Sequence, residues 1–213
     1  MEEVVVGLGD AIDAPAFLRV PIGAKGLVLF AHGSGSSRMS PRNRMVAEEL
    51  WGGGLGTLLF DLLTPQEAKL DETTAALRFD VGLLASRLAG ATRWVRAHPA
   101  LRDLALGYFG ASTGAAAALI AAAMLPGEIA AVVSRGGRPD LAGNCLERVR
   151  APVLLIVGGA DAAVLEFNRA AMLRLRCERE LAVVPGATHL FEEPGALAEV
   201  ARLARDWFLR THV

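Results

Sequence analysis

Eight short apolar runs punctuate the chain: VVVGL (4–8), FLRV (17–20), GLVLFAH (26–32), GTLLFDLL (56–63), DLALGYFG (103–110), IAAVVSRG (129–136), PVLLIVGG (152–159) and ELAVVPG (180–186). Each has strand length, and from the third onwards most are followed by a longer segment with helical character. Strands alternating with helices predict an α/β domain whose sheet is largely parallel and covered on both faces. No helix separates the first two runs, so they are read as an antiparallel hairpin at the sheet edge.

The intervening segments carry helix punctuation. Ser40 can cap and Pro41 can take the first helical position of SPRNRMVAEELW, with Gly52–Gly54 ending it. A second helix is expected from about Asp80 to Ala97, stopping before Pro99 because the residue ahead of proline disfavours the helical region. A third follows Ser112, a fourth covers 166–176 and a fifth 195–210. The stretch TPQEAKLDETTAALR (64–78), the most polar interior segment, is read as an exposed loop. Fewer than twenty residues separate the strands at 129–135 and 152–158, which leaves no room for a lid and predicts an open, shallow site.

Composition narrows the classes. With 213 residues, 53% of them hydrophobic, the chain is long enough to bury one substantial core and is expected to form a single domain, 1–213. Lys and Arg number 22 against 23 Asp and Glu, so no global field draws it to nucleic acid or an anionic membrane, and a small molecule is the expected partner. Cys145 and Cys177 make neither a CxxC pair nor a disulfide framework. The acidic start MEEVVVGLGD lacks a secretory pattern, and the alanine-rich run 115–125 is too short to span a bilayer; a cytoplasmic setting is expected. Nothing in the sequence specifies an oligomeric state.

The chemistry concentrates in a few places. Gly110-Ala111-Ser112-Thr113-Gly114 matches G-x-S-x-G between a predicted strand and a predicted helix, the setting of a nucleophile elbow. The motif alone is weak, since Gly and Ser also meet in ordinary helix starts. A serine hydroxyl becomes nucleophilic only when a base removes its proton and a carboxylate orients that base. Among the four histidines, His32 precedes the serine, His98 sits at a helix end and His212 in the terminal tail; His189, in VVPGATHLF after the last strand, remains. Asp161, where VLLIVGG turns into an aspartate, is the best placed acid, ahead of Asp140 and Glu166; its competing role is to cap a helix. Oxyanion donors are expected at the amide of Thr113 and, from the loop in LVLFAHGSGSS, at that of Ser34, with Gly33 as rival. No GK[ST] follows GSGSS, so a Walker-type phosphate loop is not indicated.

Together these residues resemble the α/β-hydrolase superfamily and, within it, the dienelactone hydrolase-like family. The strings FAHGSGSSRMSPRNRMVAEEL, LLFDLLTPQE, GYFGASTGAAAAL, SRGGRPDLAG and VPGATHLFEEPG are similar to a bacterial branch sometimes fused to a phosphoribosyltransferase-like domain, and the likeness runs from about Leu27 to Leu209. The resemblance implies a lidless α/β-hydrolase fold and a Ser112–Asp161–His189 triad that needs neither metal nor organic cofactor. The serine, histidine and aspartate together would support cleavage of an ester, thioester or lactone through an acyl-enzyme. The same residues would equally support acyl transfer to an acceptor other than water, and an idle fold serving as a binding module is a further alternative. One departure matters. Dienelactone hydrolases proper carry cysteine at the elbow, whereas this chain carries Ser112, so the lactone substrate does not transfer with the family likeness.

Other polar residues divide between binding and structure. Arg135, in VVSRGGRPDLAGNC, is a candidate for holding an anionic part of the substrate through a forked pair of hydrogen bonds, and Arg138 is read as structural. Arg38, Arg42 and Arg44 are candidates for a local positive rim near the oxyanion loop, while His32 and Asp61 are expected to fix loops. Trp94, Trp207 and Phe208 are read as helix faces turned to the core.

Overall fold

In the computed structural model, which describes residues 1–213, all eight apolar runs form strands: β1 Glu2–Gly7, β2 Asp13–Arg19, β3 Gly26–Ala31, β4 Gly56–Phe60, β5 Ala105–Ala111, β6 Ala131–Arg135, β7 Val153–Gly158 and β8 Arg179–Val184. They make one sheet in the order β1-β2-β4-β3-β5-β6-β7-β8. The β1–β2 hairpin is antiparallel and sits at the edge as expected; β2 pairs antiparallel with β4, and every other pairing is parallel. Every residue of β3, β4 and β7 is buried, the mark of strands covered on both faces.

Two helices, α1 (Pro41–Gly52) and α6 (Ala196–Arg210), cover one face, where Val46, Leu50, Val200 and Phe208 pack on Phe30 and Phe109. The other face carries α3 (Val81–Ala97), α4 (Thr113–Met124) and α5 (Ala162–Arg174), with Leu84, Leu88, Leu119 and Ala171 set against Leu29, Tyr108 and Leu155. Trp207 and Phe208 are buried, and Trp94 packs partly buried against the α3 side of the core. The sheet and its helices are those of an α/β-hydrolase fold without a lid domain. No helix is long and apolar enough to cross a membrane.

The caps explain where the helices start. Ser40 Oγ accepts from the Asn43 N–H at 3.3 Å with Pro41 next to it, and Asp80 accepts from the Leu83 N–H at 2.9 Å. The fourth predicted helix begins earlier than the sequence pattern placed it, at Ala162, because Asp161 caps it and recruits the first turn.

The segment 64–78 is not a loop. Pro65–Thr74 is a helix, α2, followed by a 3-10 turn at Leu77–Phe79. A reciprocal capping box starts it: Glu67 N–H donates to Thr64 Oγ1 at 3.2 Å, and Thr64 N–H donates to Glu67 Oε2 at 2.7 Å. Glu67 Oε1 also accepts from Arg87 Nη2 at 2.8 Å, tying α2 to α3, and Asp71 accepts from Arg78 and from the Leu77 and Arg78 amides at its far end. Polarity that reads as solvated loop is here spent on caps and bridges. Thr64→Ala is expected to cost about 1 kcal/mol and to lower Tm by roughly 2–4 °C in a chain of this length; an unchanged melting curve would show that the box does not hold α2.

Candidate functional site

Parallel strands place their carboxyl ends side by side, and that is where the candidate residues gather. Ala31 of β3 lies opposite Gly110 of β5, and Ala111 lies opposite Arg135 of β6. Ser112 follows at once, with φ 51° and ψ −119°, a conformation that costs a non-glycine residue about 1–3 kcal/mol. Three backbone bonds hold it there: Ser112 N–H donates to Arg135 O at 3.2 Å, and Ser112 O accepts from Ala115 N–H and Arg138 N–H, both at 3.1 Å.

The flanking glycines are steric requirements. A Cβ on Gly110 would meet Ala115 Cα at 2.5 Å, and one on Gly114 would meet His32 O at 2.5 Å and Ala31 O closer still. The alanine run after the elbow is buried against the sheet for the same reason, since only small side chains allow this approach.

His189 and Asp161, 28 residues apart, meet at the same rim. His189 Nδ1 donates to Asp161 Oδ2 at 2.7 Å, while Asp161 Oδ1 accepts the Val164 N–H at 3.5 Å. Asp161 therefore fills both roles that the sequence set in competition, helix cap and histidine partner. Its carboxylate side chain is 15% exposed and the imidazole 39%, so the pair opens to solvent on the histidine side. Ser112 and His189 border one cavity of about 180 Å³, together with Gly33, Ser34, Arg42 and Arg135.

The β3 loop closes over the elbow. Ser34 Oγ and Thr113 Oγ1 are 3.0 Å apart, which links the two nominated oxyanion residues. Ser34 N–H has no hydrogen-bond partner within the protein, and Thr113 N–H belongs to the first turn of α4, where no intrahelical acceptor exists. His32 sets this loop: its Nε2 accepts from Leu62 N–H at 3.0 Å, so its Nδ1–H faces Gly33 O at 3.0 Å. Burial pushes the His32 pKa down and keeps the ring neutral, which suits the acceptor role.

Around this centre the remaining candidates divide. Asp61 accepts from Arg38 N–H at 2.7 Å and pairs with its guanidinium, fixing the loop. Arg138 makes a forked pair with Asp140 at 2.9 and 2.7 Å, which occupies both residues away from His189. Glu166 is paired with Arg169 on the surface. Of the arginine rim, Arg38 is taken up by Asp61, Arg44 lies over Phe17, and Arg42 lines the cavity. Asn43 also lines it and was not singled out by sequence; its place one turn into α1 after the Ser40 cap was the available signal. A second, larger cavity of about 650 Å³ adjoins, sharing Gly33, Ser34 and Arg42, and α2 supplies one wall through Pro65, Ala68 and Asp71. The site is therefore a walled cleft where a shallow one was expected. No group of three or more His, Cys, Asp or Glu side chains is placed to hold a metal ion.

Sheet order, elbow and helical layers together define an α/β-hydrolase. The chain is 55% identical to a dienelactone hydrolase from Anabaena variabilis of known structure, covering 98% of this chain and 97% of that one with a TM-score of 0.95. It belongs to the dienelactone hydrolase-like family. The esterase Est1E from Butyrivibrio proteoclasticus shares the fold at 18% identity, with a TM-score of 0.80 and 98% of each chain covered. Curated relatives in Mycobacterium tuberculosis, provisionally named phosphoribosyl transferases, are 57% identical over 208 residues; this chain spans 46% of their length. No family model matches the chain.

Proposed function

We propose that the protein is a serine hydrolase cleaving a carboxylic ester, thioester or lactone of a small molecule. The observation that carries this reading is the 2.7 Å hydrogen bond from His189 Nδ1 to Asp161, with the imidazole bordering the same cavity as the strained Ser112. A carboxylate on Nδ1–H fixes the tautomer and leaves Nε2 able to accept a proton. Ser112 Oγ attacks the carbonyl carbon while His189 takes its proton; the Ser34 and Thr113 amides stabilise the oxyanion. On collapse the C–O or C–S bond breaks, the leaving group takes the proton from His189, and an acyl-serine remains. Water, deprotonated by His189, then releases the acid and restores the serine. The name of the 55% identical relative, a dienelactone hydrolase, supports hydrolysis. The transferase name belongs to chains about twice as long.

A fluorophosphonate probe tests the nucleophile. Labelling of the parent protein is expected to vanish in Ser112→Ala, together with 4-nitrophenyl acetate turnover. Persistent labelling of the variant would remove Ser112 from this role.

A further inference from the structure

Arg135 is the last residue of β6, and its carbonyl accepts the Ser112 amide, so its main chain is anchored to the elbow itself. That side chain is unpaired. Residue exposure is 7%, Nε and Nη1 are enclosed without a partner, and no carboxylate or carbonyl receives a hydrogen bond from any of its nitrogens. Burial, with the nearby charge of Arg42, lowers its pKa to about 10, which still leaves it cationic at neutral pH. A buried guanidinium with no counter-ion is costly, and proteins retain one where a ligand supplies the missing charge.

Its neighbours in the Ser112–His189 cavity share the deficit. Arg42 Nε is enclosed without a partner, and so is the Asn43 amide oxygen, in a residue only 2% exposed. Arg42 Nη1 reaches Glu192 Oε1 at 3.2 Å on the outer side, which balances that charge and leaves the charge of Arg135 unmatched. The cavity, about 180 Å³, has the volume of roughly six waters, enough for a group of a few heavy atoms.

We propose that Arg135, assisted by Arg42 and Asn43, binds an oxyanionic group, carboxylate or phosphate, that the substrate carries beside its scissile carbonyl. A guanidinium fork matches either group through paired N–H donors. This rests on Ser112 being the nucleophile, because the subsite is defined by sharing one cavity with that residue.

Two near-isosteric substrates test it: neutral 4-nitrophenyl butyrate and anionic mono-4-nitrophenyl succinate. Arg135→Gln is expected to lower kcat/KM for the succinate at least tenfold more than for the butyrate, mainly through KM, with Arg135→Lys retaining part of the preference. Equal losses on both substrates overturn the proposal. Binding is read separately from chemistry by the thermal shift that succinate or inorganic phosphate produces in the parent protein; whichever anion protects identifies the group, and loss of that protection in Arg135→Gln is the expected result. Protection by neither overturns the subsite, even where fluorophosphonate labelling of Ser112 stands; absent labelling with intact anion protection overturns only the nucleophile. Without ligand, Arg135→Met is expected to raise Tm by a few degrees, since it removes an uncompensated buried charge. A fall in Tm would make Arg135 a structural residue and overturn the proposal.

Discussion

Asp161→Asn is expected to lower kcat on a 4-nitrophenyl ester by about 10⁴-fold while moving Tm by no more than roughly 2–4 °C. The two effects separate because Asp161 does two things. As the N-cap of α5 it accepts from Val164 N–H, and asparagine caps about as well as aspartate. As the partner of His189 Nδ1 it holds the imidazole by accepting at 2.7 Å. A carboxamide can turn its NH₂ to that nitrogen, which moves the ring proton to Nε2 and blocks removal of the Ser112 proton; the negative charge that would support the imidazolium is also gone. Steady-state kinetics with a melting curve on the same sample measure both. A loss of tenfold or less would remove Asp161 from the orienting role. Glu166→Gln, which only breaks a surface pair with Arg169, is the matched control and is expected to leave kcat within twofold.

Gly114→Ala is expected to destabilise the protein by about 3 kcal/mol or more, or to abolish soluble folding. The new Cβ would run into the Ala31 and His32 carbonyl oxygens of the β3 strand and its loop, backbone atoms that cannot swing aside as a side chain can. Relief requires α4 to move away from the sheet, which opens the packing of its alanines and shifts Ser112. Gly52→Ala supplies the contrast: it ends α1 with nothing within 4 Å of the added Cβ and no positive φ, so it is expected to be neutral or to stabilise by about 0.5–1 kcal/mol. Denaturant unfolding of the two variants measures the difference, and a Gly114→Ala protein with near-parental stability would mean that the elbow tolerates a wider spacing.

The layout of the fold could be read from hydrophobic runs because inner parallel strands are buried on both faces and leave unbroken apolar segments such as GLVLFA and VLLIVG. The edge hairpin was legible from the missing crossover helix between β1 and β2. Segment 64–78 was misread because α2 has no apolar stripe; it is held by the Thr64–Glu67 box and by Glu67–Arg87, and only the T-P-Q-E spacing announced it. Chain order selected Asp161 and His189, which the structure brings into hydrogen-bond contact, but order carries no information about which neighbouring charges are already spent. Arg135 and Arg138, three residues apart, are read from the sequence as a binding candidate and a structural residue; the structure supplies the reason, one being unpaired inside the cavity and the other locked to Asp140.

The eight strands, most of the helices between them and the glycine-flanked serine follow from residue order alone, because periodicity, caps and chain connectivity are local properties. That Asp161 meets His189, that α2 walls the cleft and that a guanidinium stands unmatched in the cavity of Ser112 emerge from the folded chain alone. These depend on distances between residues far apart in the chain and on which polar atoms burial leaves without partners, quantities that no local pattern of residues encodes.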